Sequence, residues 1–233
     1  MTTMVGSALI SGGTGGLGAA VTRAFLDGGW RVVVPVFDLA ERERVPAHER
    51  LVLEPADLSD PDSTTAVTAI AAGDDGAPLR AVVNLVGGFA EGGRVHETPV
   101  EDYESQLRLN LRPAYLVCHA AIPHLQAAGG GAIVCVSSRA ALRPFPGAAG
   151  YIVAKAAVLA FVDVLAAEYR DDGIRANAVL PSVIDTAANR HSMPGADHSR
   201  WVAPEQIASV ARWLCEDGSG VVSGAHVPVY GRA

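Results

Sequence analysis

The chain runs to 233 residues, 49% of them hydrophobic and 18% charged, with a formal net charge of −7. That composition supports one sizeable buried core and excludes wholesale disorder. Acidic residues are scattered rather than gathered in a tail, and the lack of any Lys/Arg block argues against a nucleic-acid partner.

In chain order, an apolar strand is expected at 7–10, and it runs directly into the octapeptide SGGTGGLG at 11–18. A helix follows over 16–27. Glycines at a strand-to-helix turn allow a tight bend and let backbone N–H groups approach an anion without a Cβ in the way. The helix N-terminus adds about half a positive charge toward that anion. A Walker-type phosphate loop is excluded, because the turn holds no lysine. Further strands are expected at 31–36, 50–53, 81–85, 132–136, 175–180 and 225–229. Further helices are expected at 63–72, 100–127, 151–171 and 204–216. The helix from 100 carries its own start signal, with Thr98 as N-cap, Pro99 at the first position and Glu101 closing a capping box. Pro113 inside it predicts a bend just after Asn110. Strands alternating with helices imply parallel pairing through right-handed crossovers. The expected fold is therefore α/β, a single domain over 1–233 with a doubly wound parallel sheet of about seven strands and helices on both faces.

Cys118, Cys135 and Cys215 are odd in number, far apart and in apolar contexts, which suits reduced buried thiols and a cytoplasmic setting better than disulfides. No basic-then-apolar leader opens the sequence, and no apolar stretch approaches about 20 residues, so neither a secretory signal nor a membrane partner is expected. His119 and His124, like His191 and His198, lack metal-ligand spacing, and no metal is expected.

The motifs Ser11-Gly12-x-x-x-Gly16-x-Gly18, Asp57-Leu58, Asn84-Leu85-Val86-Gly87, Asn110, Val136-Ser137-Ser138, Tyr151-x-x-x-Lys155 and Pro181-Ser182-Val183-Ile184-Asp185-Thr186 occur in this order. On these residues the sequence resembles the short-chain dehydrogenase/reductase family, in the subgroup with T-G-x-x-x-G-x-G and Y-x-x-x-K motifs. It departs from the family pattern with Ser11 for Thr, Ser182 for Gly and Tyr230 where Asp is common. The resemblance implies a Rossmann-like domain that binds NAD or NADP. It assigns the cofactor to Gly12, Thr14, Gly16, Leu17, Gly18, Asp57, Leu58, Asn84, Gly87, Tyr151, Lys155, Pro181, Ile184 and Thr186. It assigns catalysis to Asn110, Ser138, Tyr151 and Lys155, with Asn110 holding a water that relays protons from Lys155. It also implies a homodimer or homotetramer, assembled through the helices at 100–127 and 151–171.

Tyr151 and Lys155, the sole lysine of the chain, lie four residues apart and so share one helix face. A phenol has a reference pKa of ~10, and a neighbouring ammonium is expected to lower it. Tyr151 then acts as general acid in carbonyl reduction and as general base in alcohol oxidation, with Ser138 holding the substrate oxygen. The Tyr/Lys chemistry serves a C=N or pterin-like ring substrate equally. A regulatory protein that binds nucleotide without turnover is the rival from another class.

Cofactor preference stays open between NAD and NADP. The diagnostic position at the second strand's end is Val36, which carries no charge; Asp38 favours NAD, whereas Arg42 and Arg44 favour NADP. The balance tips slightly to NAD, since the glycine turn holds no basic residue. A small-molecule substrate is expected over Gly87-Gly88-Phe89-Ala90, the segment 139–150 and a short loop at 187–203. Phe89, Phe145, Met193 and Trp201 are candidates for its apolar walls.

Overall fold

The computed structural model describes residues 6–232, which form seven strands and seven α-helices. The ends of the expected 1–233 domain, residues 1–5 and 233, lie outside the described residues. In chain order come β1 (Ser7–Ser11), α1 (Gly18–Asp27), β2 (Arg31–Val36), β3 (Leu51–Pro55), α2 (Pro61–Ala72), β4 (Leu79–Asn84), α3 (Val100–Asn110), α4 (Arg112–Ala127) and β5 (Gly131–Val136). They are followed by α5 (Ala149–Glu168), β6 (Ile174–Pro181), α6 (Ala187–Ser192), α7 (Pro204–Cys215) and β7 (His226–Val229).

All strand pairs are parallel, in the order β3-β2-β1-β4-β5-β6-β7. Every residue of β1 is buried, as expected where helices cover both faces of a parallel sheet. Successive side chains point to opposite faces. Leu9, Val33, Val82 and Ile133 therefore meet Val67 of α2, Leu125 of α4 and Val162 of α5. Ala8, Ile10, Val32 and Val83 meet Phe25 of α1 with Ile207 and Leu214 of α7 on the other side. Strand order reverses between β1 and β4, and that reversal opens a crevice at the strands' C-terminal ends.

Four expectations need correction. The helix 100–127 is two helices, broken at Leu111 (φ −113°, ψ −47°). The ring of Pro113 and its missing N–H, which would have met the Leu109 carbonyl, make the expected bend a break. Thr98 does not cap α3, and no capping box forms with Glu101: the N-cap is Pro99, at ψ 143°. The Thr98 hydroxyl instead donates back to the carbonyls of Gly93 and Arg94, at 3.0 and 3.1 Å. The first helix begins at Gly18 rather than 16, because Gly15–Leu17 belong to the turn. Lastly, α5 has the length and apolarity of a membrane-spanning helix, against the expectation that no such stretch exists. Here its buried face, Val158, Val162 and Leu165, packs into the core against β6.

Candidate active site

The turn after β1 is forced by its backbone. Gly12 has φ +69°, and a Cβ there would sit 3.2 Å from the amide nitrogen of Val86. A Cβ on Gly18 would overlap the Gly12 carbonyl. Helix α1 has neither a side-chain N-cap bond nor an acidic residue in its first turn, so its positive end is left for a ligand. This cradle, closed to side chains and open to an anion, fits the pyrophosphate of a dinucleotide.

A cavity of about 790 Å³ runs from this turn across the C-terminal ends of the strands. Of the expected residues, Gly12, Thr14, Gly16, Leu17, Gly18, Asp57, Leu58, Gly87, Tyr151, Lys155, Ile184 and Thr186 line it. Asn84, Asn110, Ser138 and Pro181 do not. Asn84 is not brought to the groove wall. Its side chain turns into the protein and donates to the sulfurs of Cys118 and Cys135, at 3.3 and 3.6 Å. Pro181 is buried at the end of β6, paired with Val229. A larger cleft of about 1060 Å³ opens among Trp30, Arg80 and Arg175 and includes none of the expected site residues.

Helix α5 carries Tyr151 and Lys155 one turn apart. Ser137 Oγ donates to the Lys155 carbonyl at 2.7 Å and fixes the helix against the end of β5. Lys155 is only 5% exposed. Its Nζ donates to the Val136 carbonyl at 3.1 Å and lies 5.9 Å from the centre of the Tyr151 ring. Ser138 Oγ accepts from the Ala140 amide at 3.1 Å and is also hydrogen-bonded to Tyr151.

The expected lowering of the Tyr151 pKa by Lys155 is not found. Burial raises the phenol, and the Ser138 hydrogen bond offsets only part of that. The ammonium stands against the ring of Tyr151 and is itself lowered to about 8 by burial, with Cys135 acting in the opposite direction. Tyr151 therefore holds its proton at neutral pH, ready to donate it.

Asn110 is buried behind this wall. Its Oδ1 accepts from the Gly88 amide at 3.1 Å, and its Nδ2 donates to the Gly88 carbonyl at 3.0 Å. The side chain thus clamps the loop after β4. A Cβ on Gly87 would lie 2.6 Å from Asn110 Oδ1 and 3.0 Å from Lys155 Nζ, so only glycine fits between them.

At the far end of the groove, the Asp57 carboxylate is held below its usual range by hydrogen bonds from Ser59. Thr186 caps α6, with Oγ1 accepting from the Asn189 amide at 3.2 Å. The Ile184 carbonyl accepts from Asn189 Nδ2 at 2.8 Å, which leaves its backbone partly engaged.

Among the apolar candidates, Phe89 meets Tyr151 edge-on at 5.1 Å and Phe145 at 6.3 Å, while Trp201 packs against His198 instead. Phe89 is 56% exposed at the mouth. Two nearby cations are occupied: Arg190 pairs with Asp185 at 2.7 Å, and Arg139 lies over the Tyr230 ring at 5.4 Å. Sequence reasoning missed Glu41, which lines the groove and accepts from Thr14 Oγ1 at 2.6 Å. The signal for it is Asp38-Leu39-Ala40-Glu41, a helix-start spacing that brings a carboxylate back over the strand's end.

A family model described as Enoyl-(Acyl carrier protein) reductase matches residues 12–231. The 2-(R)-hydroxypropyl-CoM dehydrogenase of Xanthobacter autotrophicus is 35% identical over 77% of this chain and 74% of its own length. Cyclohexanol dehydrogenase of an Acinetobacter strain is 30% identical over 96% of this chain and 93% of its own. A solved short-chain dehydrogenase/reductase from Burkholderia xenovorans superposes with a TM-score of 0.89 at 27% identity, covering 98% of this chain and 96% of that one. With relatives of this kind along nearly its whole length, the chain belongs to the short-chain dehydrogenase/reductase family, as an NAD(P)-dependent oxidoreductase.

Proposed function

We propose that the protein interconverts a carbonyl and an alcohol, with Tyr151 giving a proton to the carbonyl oxygen in reduction and recovering it in oxidation. The observation that carries this reading is the pairing of Tyr151 and buried Lys155 on the wall of the groove that holds the glycine turn, with Ser138 hydrogen-bonded to Tyr151 from behind. The dinucleotide, when bound, supplies hydride at its nicotinamide ring. Ser138 orients the substrate oxygen toward the phenol. Lys155, at about 8, sits close enough to neutrality to lose and regain a proton as Tyr151 is recharged. Asn110 keeps the loop at Gly88 in place, so that substrate rests at a fixed distance from Tyr151.

We take NAD(H) as the dinucleotide, a reading supported by Glu41, an acidic side chain that lines the groove beside the glycine turn. The substrate reading is a neutral compound with an apolar body lying against Phe89 and Phe145, because Arg139 and Arg190 are already engaged. The relative named for cyclohexanol supports an alicyclic or similar alcohol. The half-exposed faces of α4 and α5, with Tyr115, Val153 and Val164, support pairing into a homodimer or homotetramer. The three free buried thiols fit a reducing cytoplasm.

Tyr151→Phe keeps the ring against Phe89 and removes only the hydroxyl. Turnover of a ketone panel is expected to fall about 10²–10⁴-fold, with the NADH dissociation constant unchanged. Turnover within a few-fold of wild type, with NADH still bound, refutes the assignment.

A further inference from the structure

The groove's adenosine end is built by residues just beyond β2, and they do not act as their positions in sequence suggest. Val36 closes the strand without a charge, and Phe37 stands 80% exposed along the groove wall. Asp38 is turned away: its carboxylate accepts from the Ala40 amide at 2.9 Å and starts a short 3-10 helix over Leu39–Arg44. That turn swings Glu41 back over the glycine loop. Glu41 Oε2 accepts from the buried hydroxyl of Thr14 at 2.6 Å, and Oε1 accepts from Arg44 at 2.9 Å. The second cation, Arg42, donates to the Leu53 carbonyl at 3.3 Å.

Both arginines that a phosphate would seek are thus drawn to other acceptors, Arg44 to Glu41 and Arg42 to the Leu53 carbonyl, although the buried Arg42 Nε has no partner. The one charged side chain from this turn that lines the groove is a carboxylate. A carboxylate accepts hydrogen bonds and cannot donate them. It matches the two hydroxyls of an unmodified ribose, and it repels a 2′-phosphate, which also only accepts and carries more than one negative charge.

We propose that Glu41, steadied by Thr14 and Arg44, is the specificity-determining residue that makes this chain select NAD(H) over NADP(H). It does so from a turn five residues past the strand's end, while the strand end itself is neutral. The inference rests on the dinucleotide reading above, but it does not depend on which residue moves the proton. Glu41 has a second role, since it pairs with Arg44 and so engages that guanidinium.

The test is binding rather than turnover. NADH and NADPH are titrated into the full chain and followed by intrinsic fluorescence or calorimetry, at low and high salt. Wild type is expected to bind NADH about tenfold tighter than NADPH, the scale of one like-charge contact in a partly solvated groove. The gap should narrow as salt rises. Glu41→Gln keeps the shape and removes the charge. It is expected to tighten NADPH binding about tenfold, through lost repulsion and a freed Arg44, and to change NADH binding about threefold or less. Adding Arg44→Ala should remove most of the NADPH gain. Circular dichroism and Tm establish that each variant is folded.

Wild type that binds NADPH as tightly as NADH overturns the proposal, as does an unchanged ratio in Glu41→Gln. If wild type binds neither dinucleotide, the cofactor reading falls along with it. If the ratio behaves as expected while Tyr151→Phe keeps full turnover, only the catalytic assignment falls.

Discussion

Lys155 opposes the fold that contains it. Burial lowers its ammonium from 10.5 to about 8, so the folded chain holds that proton less tightly than the unfolded chain. Below about 8 both states are charged, and the folded one bears the whole desolvation penalty. From about 8 to 10.5 the folded state sheds its proton first, and the penalty fades as pH rises. Lys155→Met, which keeps length and removes charge, is therefore expected to gain about 1–3 kcal/mol of stability at pH 7. It should also abolish turnover. The gain in Tm over wild type should shrink as the pH is raised through that window, and a lower Tm at pH 7 would show that the ammonium stabilises the fold. At this scale the spacing puts Tyr151 and Lys155 on one helix face, and the family resemblance adds Ser138, which the structure hydrogen-bonds to Tyr151. The sequence does not say which way the Asn84 side chain turns, and in the structure that amide donates to two buried thiols. It misses Glu41, because a residue's reach depends on a turn whose cap is decided by Asp38.

The five inner strands are legible as elements because apolar runs buried on both faces mark parallel strands, while the edge strands β3 and β7 are only half-buried. Helix ends are less legible. Thr98 has the right letter for a cap, but the carbonyls of Gly93 and Arg94 compete for its hydroxyl and prevail. Pro113 is legible as a disturbance, yet how far a proline bends or breaks a helix depends on what packs beside it. The glycine turn shows the converse, where sequence and backbone agree. Gly18→Ala would drive a methyl into the Gly12 carbonyl, in a turn with no room to yield. A loss of about 1–3 kcal/mol in stability is expected. NADH binding should weaken about tenfold or more as the amides swing off the phosphate. Denaturant unfolding and a binding titration measure both, and wild-type affinity in the Gly18→Ala variant would show that the turn does not seat the dinucleotide.

Across the whole molecule, the proposed site lies at the C-terminal ends of the strands, and a separate hydrogen-bond network ties down the opposite end of β6. Arg175, at the start of β6, donates to the carbonyls of Leu214, Glu216 and Val222 and to the Ser219 hydroxyl, tying the end of α7 to the sheet. Arg175→Met leaves those acceptors unpaired and should cost about 2–4 kcal/mol, read as a lower Tm, with kcat and NADH affinity unchanged. A matching drop in kcat would mean that the two ends are coupled.

Having one lysine among 233 residues gives the molecule a single interior spectroscopic address. Isotope-labelled lysine would yield one side-chain resonance, free of overlap, arising from the ammonium beside the phenol. Its titration would follow the protonation of the working site in solution without any mutation. Amine-directed reagents, by the same logic, should find that interior position only when the surrounding wall opens.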